Sequence, residues 1–295
     1  MIHTVTYTAE TPGPKLLVLG SVHGNETCGA SAIRRVLAAL DAGQLEITRG
    51  QVTFVPVCNP RAYEAGKRFV ERDLNRYLVP MESPDCYEAR LGNILCPLLA
   101  ECDALLDIHS YTIGGEAFVV MDASGSKAEH DFAACLGGDV ALLGWSEAYA
   151  ASGRASATPS EESTGTVQYA RRFGALAATI ECGQHNASQS PDIAYRAIRN
   201  ALAHLGMVAD EAVAAPATKL RRITMTRVYY RDEPGELAKT WHNFERVVAG
   251  QPMAVFGSGA TWLAPEDGVI ILPKPNADVG EEWFYFGVEN KETAP

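Results

Sequence analysis

The chain has 295 residues, 47% of them hydrophobic and 21% charged, enough for one large core and a smaller satellite. Its formal net charge of -11 excludes the basic surface that nucleic acid selects and offers no patch for an anionic membrane. No segment approaches the ~20 uninterrupted apolar residues of a membrane helix.

In chain order, the opening Met1-Ile2-His3-Thr4 has no basic region followed by an apolar stretch, so no signal peptide is expected. Residues 15–20 read as a buried strand, which runs into Gly20-Ser21-Val22-His23-Gly24-Asn25-Glu26. Residues 27–40 form a helix with small and apolar residues on one side. Residues 51–57 are a strand, followed by a long polar loop through Tyr77. The spacing then predicts a helix over 84–100, strands over 103–108 and 116–121, and a helix over 127–136. A helix over 166–172, a strand over 175–180 and a helix over 191–205 complete the series. Such alternation predicts an α/β fold, a mixed sheet flanked by helices on both faces. In such sheets the active site lies beyond the carboxyl ends of the strands. His23, Glu26, His109 and Glu181 all fall at or just after such ends.

Residues 209–219, alanine-rich and holding Pro216, read as a linker. Beyond it come short strands over 221–231, 253–256, 268–272 and 283–288, punctuated by Pro234, Pro252, Pro265, Pro273 and Pro275. They predict a small C-terminal all-β domain. The expected division is a catalytic domain over 1–210 and a β-rich domain over 217–295. The run Ala264-Pro265-Glu266-Asp267-Gly268-Val269-Ile270 resembles a segment of lipoyl-type barrels. Lys274, however, lies between two prolines without an acceptor hairpin, and no lipoylation is expected. The seven cysteines are scattered, with no C-x-x-C pair, as for reduced thiols in a cytoplasm.

The chemistry gathers at a few positions. His23 and Glu26 stand three residues apart in a loop opening at a strand's end, and His109 ends another apolar strand. Two nitrogens and one oxygen from ordered backbone are what a catalytic zinc takes, with a fourth position left for water. The same ligand set also suits iron(II). Asp107 would either accept an imidazole N–H from His109 or only cap its strand. His3, His130, His204 and His242 lack partners at ligand spacing. His185, four residues after Glu181, sits outside the ligand set. The segment 59–76 carries four arginines on an acidic protein. It is either a solvated charged loop or a substrate-binding one. In the second case Asn75-Arg76 offers an amide beside a planar fork for a carboxylate, and Arg68 would stabilise charge on a carbonyl oxygen. Glu181 closes an apolar strand, where a carboxylate needs a role or a partner, and beside zinc it would act as general base. Cys182, next to it, reads as a packed thiol.

Taken in order, Gly-x-x-His-Gly-Asn-Glu (20–26), Asn-Pro (59–60) with Arg68, Asp-Leu-Asn-Arg (73–76), Asp-x-His (107–109) and Glu-Cys-Gly (181–183) resemble the succinylglutamate desuccinylase/aspartoacylase family, within the zinc carboxypeptidases (the M14 superfamily). The trailing β-domain is similar too. The resemblance implies one zinc ion per chain on His23, Glu26 and His109, and Arg68 as carbonyl polariser. It also implies Asn75 and Arg76 as carboxylate anchors and Glu181 as catalytic acid/base. In the aspartoacylase branch a further substrate arginine lies shortly before the catalytic glutamate; Arg171, ten residues before Glu181, is the candidate for that role, with Arg172 and Arg154 as competitors and flanking residues that do not match. Ile-His-Ser-Tyr-Thr (108–112) and Cys182 depart from the aspartoacylase pattern, which leaves the ligands intact and the substrate open. The expected activity is zinc-dependent hydrolysis of a small N-acyl amino acid bearing a carboxylate, a deacylase reaction. The rivals are a carboxypeptidase cutting a peptide C-terminus and a non-catalytic acyl-amino-acid sensor. Relatives often associate, so a homo-oligomer is compatible, though the sequence specifies no interface.

Overall fold

The computed structural model describes residues 1–76, 78–153, 164–209 and 220–290. Its centre is a set of parallel strands with almost wholly buried side chains: β2 (Lys15–Gly20), β3 (Gln51–Val55), β4 (Ala104–Tyr111) and β7 (Leu176–Gln184). Burial on both faces is why these runs are continuously apolar rather than alternating. β1 (Val5–Thr8) closes one edge antiparallel to β3. On the other side follow β5 (Phe118–Val120) and β6 (Val140–Leu143), the former antiparallel to β7.

Helices cover both faces. α1 (Cys28–Asp41), α4 (Lys127–Cys135) and α7 (Ser190–His204) pack on one side, α3 (Tyr87–Glu101) and α6 (Thr166–Arg172) on the other. The stripe of α1 is Ala32, Ile33, Val36 and Leu40, which face Ala194, Ile198 and Ala201 of α7 in one core. α3 turns Leu91, Leu95 and Leu99, at four-residue spacing, into the second. The expected α/β architecture is therefore present.

Beyond residue 220, β8 (Arg221–Tyr230) pairs in parallel with β6. β14 (Glu282–Glu289), β13 (Gly268–Ile271) and β10 (Glu245–Val247) then extend the same sheet to eleven strands. A separate antiparallel sheet holds β9 (Gly235–Leu237), β11 (Pro252–Phe256) and β12 (Thr261–Leu263). The C-terminal part thus has a core of its own, with Trp241, Trp283, Phe284 and Phe286 fully buried. It also shares one, where Phe118 and Val140 meet Ile223, Val269 and Tyr285.

Three local readings are refined. The stretch from 58 to 76 is not simply a loop. Asn59 caps α2 (Pro60–Ala65) by accepting from Ala62 N–H, proline takes the first helical position, and Leu74–Arg76 forms a 3₁₀ turn. Tyr77 lies outside the described residues, as do Arg154 and most of the linker. β4 runs on to Tyr111 and β7 to Gln184, so His109 and Glu181 sit inside strands near their ends rather than just after them. α5 (Trp145–Ala151) and β6 were not foreseen.

Candidate metal and catalytic centre

The loop after β2 is fixed by its own backbone. Ser21 adopts a left-handed conformation (φ 46°), its hydroxyl donates to the Glu26 carbonyl at 2.9 Å, and its carbonyl accepts from Asn59 N–H. Gly24 presses against α2 so closely that a Cβ would lie 2.1 Å from the Ala62 carbonyl carbon. This clamp turns His23 and Glu26 inward, where both are buried. His109 comes up from β4 beside them, 4.9 Å from His23 between ring centres.

The three side chains converge. His23 Nδ1 lies 2.9 Å from Glu26 Oε1, and His109 Nδ1 lies 2.8 Å from Glu26 Oε2. The outer nitrogens are engaged by other carboxylates: His23 Nε2 with Asp73 at 3.0 Å, His109 Nε2 with Asp107 at 2.8 Å. A carboxylate accepts, so each Nε2 donates outward to its aspartate, and Nδ1 is the nitrogen each ring directs at Glu26. Acceptors at such distances repel unless a proton or a cation lies among them. The donor set therefore fits a divalent cation on His23, Glu26 and His109, the one grouping of this kind that uses histidine among the described residues. Without an ion, the cluster's own charges and a proton on His109 supply the balance. Burial alone would raise Glu26, yet His23 and His109 hold it well below the usual carboxylate range. Burial alone would lower His109, but Asp107 and Glu26 push it well above the usual imidazole value.

Asp107 is fully buried, and one oxygen accepts from both His109 and the Thr166 hydroxyl. Of the two roles left open for Asp107, the structure shows imidazole orientation. Asp73 performs the same service for His23 and accepts from Arg68 Nε at 3.1 Å, while Arg68 Nη1 reaches Glu26 at 3.2 Å. Asp73 was not singled out from the sequence, although it opens the Asp-Leu-Asn-Arg motif. Nor was Glu88, the buried carboxylate that ties down the arginine segment: it accepts from Asn59 Nδ2 and the N–H groups of Val70, Glu71 and Arg72.

Glu181 faces His109 across β4 and β7 in direct register, so the two side chains emerge on the same face of the sheet. Burial, and then the charge of Glu26, push Glu181 up to about 8. Its Oε2 is buried with no hydrogen-bond partner among the described residues. Cys182 points the other way, fully buried in the core, as a packed thiol.

These residues open onto a cavity of about 820 Å³. Arg68, Asn75 and Arg76 line it, and Asn75 Oδ1 accepts from Thr166 N–H at 2.9 Å. Arg171 lines it too, but its guanidinium is engaged by Asp122 at 3.3 Å, Glu129 at 3.0 Å and the Ala177 carbonyl at 3.3 Å. Arg172 donates to Thr164 at 2.8 Å instead. His185 is on the wall, 2.8 Å from the Ser110 hydroxyl and outside the ligand set. The far wall was not legible in the sequence. There Tyr149 of α5 and Tyr285 of β14 both donate to Glu282, Lys274 pairs with the same carboxylate at 2.9 Å, and Trp145 packs 5.2 Å from Tyr285.

Residues 12–205 match the model of the succinylglutamate desuccinylase/aspartoacylase catalytic domain. The chain is 30% identical over 112 residues to a probable aspartoacylase of Prochlorococcus marinus subsp. pastoris, covering 36% of this chain and 37% of that protein. It is 33% identical over 123 residues to an N-acyl-aromatic-L-amino acid amidohydrolase (carboxylate-forming) of Rattus norvegicus, covering 37% of each. These alignments thus span little more than a third of the curated relatives. A crystal structure of a succinylglutamate desuccinylase/aspartoacylase from Rhodobacter sphaeroides superposes with a TM-score of 0.78 at 18% identity, over 99% of this chain and 90% of that one. It shares the fold.

Proposed function

The chain belongs to the succinylglutamate desuccinylase/aspartoacylase family, and from that premise we propose that it is a zinc-dependent amidohydrolase that removes the acyl group from a small carboxylate-bearing N-acyl amino acid. The observation that carries this reading is the convergence of both Nδ1 atoms on Glu26, with Glu181 in register beside them. One zinc ion on His23, Glu26 and His109 would, when bound, lower the pKa of water towards neutrality and polarise a carbonyl.

The chain's own groups do the rest. Glu181 takes a proton from the water that attacks the amide carbon, then delivers it to the departing amine nitrogen. A carboxyl whose pKa is raised towards neutrality suits both halves of that exchange. Arg68, part of the cavity wall and 3.2 Å from Glu26, stabilises the developing oxyanion. Asn75 and Arg76 anchor the substrate carboxylate; both line the cavity, and Arg76 Nη1 donates to the Asn75 carbonyl at 2.9 Å. Arg171, tied to Asp122 and Glu129, contributes to substrate binding through the wall it braces. The expected place is a cytoplasm, where free thiols such as Cys28 and Cys182 stay reduced. No helix among the described residues is long and apolar enough to cross a membrane.

The test is a panel of N-acetyl-, N-succinyl- and N-formyl-amino acids beside C-terminal dipeptides, with zinc-loaded protein and released amines read by mass spectrometry. Turnover of an acyl class, lost in Glu181→Gln, is the expected result. Cleavage of dipeptides only would make the chain a carboxypeptidase. Acyl-amino-acid binding without turnover, indifferent to Glu181→Gln, would make it a sensor.

A further inference from the structure

Thr166 touches both halves of the site at once. Its hydroxyl donates to Asp107 Oδ2, the oxygen that also accepts from His109 Nε2. Its backbone N–H donates to Asn75 Oδ1 at 2.9 Å. Asp107 is fully buried, and its other oxygen, Oδ1, has no hydrogen-bond partner among the described residues. A buried carboxylate served by two donors loses half its support when one is removed, and the imidazole it orients loses its fixed position. On the other side, an asparagine amide has two unlike ends. With Oδ1 committed to Thr166, the amide nitrogen, the donor a carboxylate needs, is the end turned away from the α6 backbone. Gly165 makes that approach feasible, because a Cβ there would stand 2.7 Å from Asn75 Oδ1 and 3.1 Å from the Asn75 carbonyl oxygen.

We propose that Thr166 is a positioning residue that fixes His109 through Asp107 and, at the same time, the amide orientation of Asn75. The inference rests on the functional reading above. It couples the metal ligands to the carboxylate anchor through one residue at the start of α6, so the two halves of the site are built in register with each other. Thr166 also lines the cavity, but the role proposed for it runs through Asp107 and Asn75.

The two arms separate by substitution. Thr166→Val keeps the branched shape and the N–H but removes the hydroxyl; Thr166→Ser keeps both donors. Gly165→Ala keeps Thr166 and displaces Asn75. Zinc affinity is measured by chelator competition, and KM and kcat with the N-acetyl-amino acids of the panel. Thr166→Val should lose about 10- to 100-fold in zinc affinity, the usual cost of removing a partner behind a metal ligand. Thr166→Ser should stay near wild type. Gly165→Ala should raise KM while zinc affinity and kcat remain near wild type. Circular dichroism and Tm confirm folding for each. Zinc affinity unchanged in Thr166→Val, or lost equally in Thr166→Ser, would overturn the first arm; an unchanged KM in Gly165→Ala would overturn the second. A wild-type protein that binds no zinc would instead overturn the functional reading, and this inference with it.

Discussion

Glu181 has a neighbour on every side that bears on its proton. His109 is its register partner on β4, Phe118 of β5 is its partner on the other side, and the Glu26 charge repels its ionised form. Its folded pKa, about 8, stands above the ordinary carboxylate value, so in the metal-free protein the folded state holds this proton more tightly than the unfolded chain. Stability from this group is therefore lost as pH rises from the carboxylate range through about 8. We predict that metal-free Glu181→Gln shows a flatter fall in Tm between these limits than the wild type; parallel curves would contradict it. With zinc present, the same substitution should lower kcat by about 10²–10⁴-fold with little change in zinc affinity. At this scale the sequence was most readable. The spacing in 20–26 and the strand-end positions of His109 and Glu181 pointed to residues that the structure brings together. Asp73 and Thr166 were not legible as partners, because their roles depend on contacts 50 and 59 residues away in the chain.

The elements that carry these residues are held by less conspicuous groups. Glu88, at the start of α3, accepts four hydrogen bonds, three of them from the backbone of residues 70–72. Flanking that clamp are Arg68 and Asp73, both of which reach the histidine–glutamate cluster. Glu88→Gln replaces one of the two accepting oxygens with an NH2 group that faces N–H donors, which we expect to cost about 1–3 kcal/mol of stability. It should also lower kcat/KM by loosening the Arg68 segment, an effect seen as faster proteolysis there. Full activity with unchanged proteolysis would show that the segment stands without it. Nothing in the local pattern marks Glu88 as special, since a glutamate in the first turn of a helix is commonplace. The strand over 15–20 and the helix over 166–172, by contrast, have the bounds their patterns suggested. The short run 140–143 did not stand out, because four apolar residues carry too little periodicity to separate a strand from a core helix segment.

Across the whole molecule, the C-terminal strands complete the cavity rather than merely following it. β8 joins the sheet at β6, and Glu282 and Tyr285 meet Tyr149 over the site. Glu282 is largely withdrawn from water, yet Lys274 and the two tyrosines hold it down at about 2. A carboxylate depressed in the folded state contributes stability above its unfolded pKa and loses it as pH falls towards the folded one. Glu282→Gln should therefore flatten the acid side of the stability curve between about 4.5 and 2; an unaltered acid limb would contradict that. The division into 1–210 and 217–295 remains a proposal, constrained by this shared sheet. A fragment ending at residue 210 should be insoluble or inactive, its β6 edge bared and one cavity wall gone. A soluble, fully active fragment would show the two units to be independent. Linker composition suggested where the texture changes, but sheet continuity across it arises from long-range pairing that no local pattern encodes.

The central claim, that His23, Glu26 and His109 hold one zinc ion, is tested most directly by titrating metal-free protein with Zn²⁺ in a chelator competition, wild type beside His109→Ala. The account predicts one tight equivalent per chain in the wild type and its loss in the variant. A wild type without tight binding, or a variant that binds as tightly as the wild type, would contradict it.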